Sequence, residues 1–224
     1  MINDKRIRIV TGHYGSGKTE FSVNYAVKLA ELGRKVGLVD LDVINPYFRS
    51  REKTALLAKL GIRVIGSNLE GNALDLPAVS GEAVTPIQDV SFDAVIDVGG
   101  DPAGARALGM FYPILKTGEY DMFFVLNANR PETQTVENAL EFMTKIESTA
   151  RAKITGIVNN THLLKATAAE DVIRGYELAL KVSQATGIPM RYNVCIKDLA
   201  DKLPEEIRAN IFPIKLYMRE EWMI

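Results

Sequence analysis

Cysteine is almost missing from these 224 residues: Cys195 stands alone, which excludes an intrachain disulfide framework and fits a reducing cytoplasm. Histidine is nearly as scarce, with His13 and His162 only, and no His/Cys/carboxylate spacing suggests a zinc site. Neither sign of charge is in excess. The 27 Lys and Arg against 28 Asp and Glu leave a formal net charge of −1, with no global pull toward nucleic acid or anionic lipid. No apolar run is long enough to span a bilayer, and the polar opening Met1 to Lys5 leads straight into a strand-like segment. No nucleic-acid partner, membrane or secretory signal is therefore expected. Repeats, low-complexity tracts and linkers are also lacking, so one domain over residues 1–224 is expected. What remains is ordinary for a cytoplasmic globule: 47% hydrophobic residues, enough for a substantial core.

Periodicity predicts alternating strands and helices. Short apolar runs read as strands at 6–11, 36–39, 63–65, 94–98, 122–126, 154–158 and 189–194, the last clear one. Helical stripes occupy 18–32, 56–60, 105–115, 132–148 and 168–185, while 66–90 reads as loop with at most one short helix. Such alternation predicts an α/β three-layer sandwich, a mostly parallel sheet covered on both faces by right-handed crossovers.

Gly12-His13-Tyr14-Gly15-Ser16-Gly17-Lys18-Thr19 satisfies G-x-x-x-x-G-K-[ST] in full, between a predicted strand and a predicted helix. Glycines let the backbone curl so that N–H groups from Gly15 to Thr19 face an anion, and the helix dipole adds to the same field. Lys18 is expected on the β- and γ-phosphates and the Thr19 hydroxyl on Mg2+, with Glu20 following in the first helical turn.

Two further strand ends carry carboxylates: Asp40 and Asp42 in LVDLD, and Asp97 in VIDVGGD. Ligands collect beyond the C-terminal edge of a parallel sheet, so these groups are expected beside the metal and its waters. Asp97 with Gly99 and Gly100 also reads as a D-x-x-G element, whose glycine N–H can sense the terminal phosphate.

The phosphate loop followed by D-x-D on the next strand resembles the MinD/ParA/CobQ–CobB group of P-loop proteins. The stretch from Thr11 to Arg51 is similar to small bacterial ATP-binding members of that group, and the similarity extends more weakly to the end of the chain. The resemblance implies ATP and Mg2+ as ligands, with Lys18 and Thr19 in the phosphate and metal roles. It places Asp42 at the attacking water, Asp40 at the metal's water shell, and the segment from Asp97 to Asp101 at the second switch. Dimerising members carry a second lysine where this chain has His13, so a trans charge in a nucleotide-sandwich homodimer would be replaced by a histidine.

Asn159 and then Asn160, at a strand end, are expected to read the purine, since an amide offers both donor and acceptor. His162 reads as a solvated loop residue. The segment Asn45 to Arg51, the segment Asn127 to Pro131, and Arg106 form an expected rim for an anionic small molecule or a partner protein. The tail from Ile211 to Ile224, with Pro213 and mixed charges, is expected to dock on the domain rather than on a membrane.

Three activities stay open at this point. One is a slow ATPase switching association with a partner or effector. The others are a phosphotransferase or carboxylate-activating enzyme, and a nucleotide sensor without turnover.

Overall fold

The computed structural model of the chain describes residues 2–42, 53–66, 81–100 and 102–218. The expected rim segment from Asn45 to Arg51, together with Asp101 and the last residues of the tail, lies outside them.

Eight strands form one sheet: β1 (Ile7–Thr11), β2 (Val36–Asp40), β3 (Ile62–Gly66), β4 (Asp93–Asp97), β5 (Asp121–Leu126), β6 (Gly156–Asn159), β7 (Met190–Ile196) and β8 (Ile211–Ile214). Their spatial order is β3-β2-β4-β1-β5-β6-β7-β8, and every pairing is parallel. Parallel strands need crossovers, and the helices supply them: α1 (Lys18–Glu31), α2 (Thr54–Lys59), α3 (Thr85–Gln88), α4 (Pro102–Ala107), α5 (Tyr112–Leu115), α6 (Val136–Ala150), α7 (Ala169–Thr186), α8 (Lys197–Ala200) and α9 (Glu205–Arg208).

Side-chain alternation splits each central strand between two cores. Ile7 and Ile9 of β1, with Met122, Phe124 and Leu126 of β5, pack against α6 residues Ala139, Met143 and Ile146. Val10, Phe123 and Val125 face the other way, onto Phe21, Tyr25 and Leu29 of α1. Both faces are dry, which is why these strands read as apolar runs. The sandwich follows from that pattern.

The structure departs from expectation in two places. Residues 102–115 do not form one helix over 105–115. They form α4, a 3-10 turn over Leu108–Phe111, and α5 with Pro113 in its first turn. Proline has no N–H to continue the preceding helix, so the chain restarts there. The strand at 190–196 is not the last either. Residues Ile211–Ile214 add β8 at the sheet's edge, where Pro213 is tolerated because no further strand needs its missing donor.

Candidate nucleotide site

The topology reverses direction around β1, whose neighbours are β4 and β5, and the crevice beyond strand C-termini at such a point is where ligands bind. The loop from β1 into α1 lies in it. Gly15 and Gly17 take left-handed φ of 76° and 79°, conformations that a side chain resists. Ser16 N–H donates to the His13 carbonyl (3.0 Å), closing the turn, and Gly17 caps the helix.

Side chains just beyond the C-terminal ends of β5 and β6 hold the loop from outside. Asn127 Nδ2 (3.2 Å) and Arg130 Nε (3.1 Å) both donate to the Gly15 carbonyl, and Asn160 Nδ2 donates to the Ser16 carbonyl at 2.7 Å. With these carbonyls held outward, the N–H groups of Gly17, Lys18 and Thr19 head a fourteen-residue helix whose first donors have no intrahelical acceptor. Glycine is also a packing requirement. A Cβ on Gly17 would collide with Asn160 Nδ2, and one on Gly100 with the carbonyl of Gly12. The D-x-x-G segment thus lies directly against the phosphate-type loop.

Strands β2 and β4 are in register with Asp40 opposite Asp97, so two acidic strand ends meet. All three carboxylates are buried: Asp40, Asp42 and Asp97. Asp42 N–H donates to Asp40 Oδ1 (3.0 Å), and Lys18 Nζ lies 3.1 Å from Asp42 Oδ2. Asp97 Oδ1 accepts from Ser22 Oγ at 3.1 Å. Its Oδ2 is buried without a donor at hydrogen-bonding geometry, though the Thr19 hydroxyl lies near enough to act on it. Burial pushes the Asp97 carboxyl up to about 7, Lys18 opposes that, and the charges of Asp40 and Asp42 reinforce it. An under-satisfied carboxylate among like charges suits a cation. Among the described residues, no three His, Cys, Asp or Glu side chains could hold a metal by themselves. That donor set fits Mg2+, which keeps several waters and takes much of its coordination from phosphate oxygens.

A cavity of about 350 Å³ runs from this loop across the ends of β6, β7 and β8. Polar Lys18, Thr19, Glu20 and Arg130 line it together with apolar Leu163, Leu164, Val194, Ile196, Leu216 and Met218. Of the two asparagines expected at the base, Asn160 lines the cavity. Asn159 does not: its Nδ2 donates to Val172 O (3.0 Å) and Asn193 Oδ1 (3.1 Å), and its Oδ1 accepts from Thr161 N–H (3.2 Å). Its amide is committed inside the protein, tying β6 to β7 and α7. His162, expected in solvent, is half-buried and lines the cavity.

His13 turns toward its own chain, its ring edge-on to Phe142 at 5.2 Å and Nδ1 3.6 Å from Glu132 Oε2. Cys195 also lines the cavity, but burial pushes its thiol up to about 11, so it serves as an apolar surface. The apolar wall from β7 and β8 escaped the sequence reading because it comes from strand ends with no motif of their own. Only the alternation of Ile214, Leu216 and Met218 could have signalled it.

The fold is the α/β P-loop nucleoside-triphosphatase fold, a mostly parallel sheet between helical layers. The sequence matches no protein-family model and no curated protein. Solved structures match in shape. They include the signal recognition particle receptor FtsY of Elizabethkingia anophelis (19% identity, TM-score 0.52, covering 85% of this chain and 58% of that one). Chloroplast FtsY of Physcomitrella patens (17%, TM-score 0.58, 85% and 58%) and the cell division protein FtsY of Thermotoga maritima (20%, TM-score 0.56, 85% and 62%) are similar in the same way. The chain spans about three fifths of the length of those structures. Likeness at this identity carries the fold. No helix among the described residues is long and apolar enough to cross a membrane.

Proposed function

We propose that this protein binds a magnesium-complexed nucleoside triphosphate, most suitably ATP, and hydrolyses it slowly as a switch for a partner protein or an anionic effector. The carrying observation is the glycine-bent loop opening α1, with Lys18 and Thr19 lining the cavity. Main-chain N–H groups of Gly17, Lys18 and Thr19 hold phosphate oxygens, and Lys18 exchanges Asp42 for the β- and γ-phosphates. Asp42, released from that pair, orients the attacking water. Mg2+, when bound, would be held by the Thr19 hydroxyl with Asp40 and Asp97 on its water shell, and would supply positive charge to the phosphates. Asn160 and the apolar wall take the base.

The lining supports adenine: among the described residues Glu20 is the carboxylate on the cavity wall able to accept from guanine's N1–H and amino group, and it is bound to main-chain N–H groups. Catalysis is mostly positioning and charge stabilisation, without a lysine at position 13, so turnover is slow. Arg130, at the mouth beside Gly15, and exposed Arg106 support an anionic effector at the rim. The resemblance to the MinD/ParA/CobQ–CobB group rests on the loop and D-x-D motifs.

The test is Mg-ATP and Mg-GTP turnover for wild type, Lys18→Ala and Asp42→Ala, with mass in solution measured alongside. Loss of turnover in both variants is expected. Turnover indifferent to Asp42→Ala removes its water-positioning role, and ATP consumption that requires a small acid or alcohol points to a transferase instead.

A further inference from the structure

Beyond β8 the chain carries no regular secondary structure and contributes to the wall of the cavity. Ile214, Leu216 and Met218 all line it, the period-two pattern of an extended segment showing one face inward. Met218 and Ile214 are buried in the same core as Phe21 and Tyr25 of α1.

Polar clamps from α1 hold this strap in place. Glu20, directly after Thr19, accepts main-chain N–H groups from two consecutive residues, Tyr217 at 2.6 Å and Met218 at 3.1 Å. These are charge-assisted bonds to a carboxylate, stronger than neutral ones. One turn further along, buried Asn24 exchanges two bonds with Lys215: its Nδ2 donates to the carbonyl (2.8 Å) and its Oδ1 accepts from the N–H (2.9 Å). An asparagine amide here does what a neighbouring strand would do, and ties 215–218 to the helix that opens at the phosphate loop.

We infer that the strap at 215–218 is the nucleoside-specificity wall of the site, with Leu216 and Met218 contacting the base and Glu20 and Asn24 positioning them. This rests on the nucleotide-binding reading above. The phosphates are held by main chain and Lys18, so strap and loop act on different parts of one ligand.

Calorimetric titration separates the two. Full-length wild type, Leu216→Ala, Met218→Ala, Met218→Leu and Asn24→Asp are titrated with Mg-ATP and, separately, with inorganic tripolyphosphate. Wild type is expected to bind both. Met218→Ala and Leu216→Ala should weaken ATP by roughly tenfold, the scale of lost apolar contact in a pocket, while tripolyphosphate affinity stays unchanged and shows the variants are folded. Met218→Leu should restore ATP binding, and Asn24→Asp should fall between. Variants that bind ATP as tightly as wild type overturn the inference, and so does equal loss of both ligands, which would make the strap a general prop. Wild type that binds neither ligand sinks the nucleotide reading itself, and the strap's role with it.

Discussion

The two edges of the sheet bury charge in opposite ways. At the N-terminal edge, Arg8 is fully buried in β1, and its guanidinium donates to the Arg6 carbonyl (3.0 Å), the Asp4 carbonyl (3.0 Å) and the Asp93 carboxylate, with only Nε left without a partner. Asp4 in turn accepts from Tyr25, Tyr192 and Arg191. At the C-terminal edge, Asp40, Asp42 and Asp97 crowd together, one Asp97 oxygen has no well-placed donor, and Lys18 is the nearby cation acting on Asp97. Buried charge paired with opposite charge fixes a fold; buried like charges short of donors mark where a ligand completes the structure. Both edges were built by the same strands, so the contrast belongs to the side chains.

Four substitutions sharpen or break that contrast, in falling order of effect. Lys18→Ala should lower Mg-nucleotide affinity by about 100-fold or more, on the scale of removing a buried charge-assisted partner, and calorimetry would read it. Should affinity survive, the C-terminal edge is not a phosphate site. Asp42→Ala should leave nucleotide binding within a few-fold while cutting turnover by about 100-fold, the usual worth of a positioned acid–base group. Steady-state and single-turnover rates together decide it. Asp4→Ala strikes the other edge: it leaves Arg191 and two tyrosine hydroxyls short of an acceptor and should cost about 3 kcal/mol of stability in denaturant unfolding. Nucleotide affinity of the folded Asp4→Ala protein should not change. If affinity drops with stability, the two edges are coupled and the contrast fails.

The smallest effect concerns pH. Asp97 has its carboxyl raised to about 7 in the folded chain, above its ordinary value of 3.8. The folded state therefore binds the proton more tightly than the unfolded state. This contribution to stability is fully present below about pH 4 and is lost as pH rises toward 7. Asp97→Asn, neutral throughout, should remove that decline, seen as a flatter melting temperature between pH 5 and 8 in magnesium-free buffer. A wild-type profile as flat as the variant's would contradict the burial argument.

Legibility in the sequence followed the same physics. The phosphate loop could be read because its chemistry uses consecutive residues, Gly12 to Thr19, whose backbone does the binding. Asp40 and Asp97 could be paired because apolar runs ending in Asp predict strand ends, and parallel register brings those ends together. The apolar lining could not be read. Val194, Ile214 and Met218 look like any core residues, and Pro213 sits in a strand whose edge position makes it acceptable. Asn159 misled for a related reason: a strand-end asparagine can face the cavity or the core, and only the contacts with Val172 and Asn193 tell which. Pro113 lies within the helix expected over 105–115 and marks where the chain restarts.

The most direct test of the central claim is a structure of the protein with Mg2+ and a non-hydrolysable ATP analogue. The triphosphate should lie within hydrogen-bonding distance of the N–H groups of Gly17, Lys18 and Thr19, with Lys18 Nζ drawn off Asp42 and the adenine against Leu216 and Met218. A nucleotide seated elsewhere, with the glycine loop and the Lys18–Asp42 pair untouched, would contradict it.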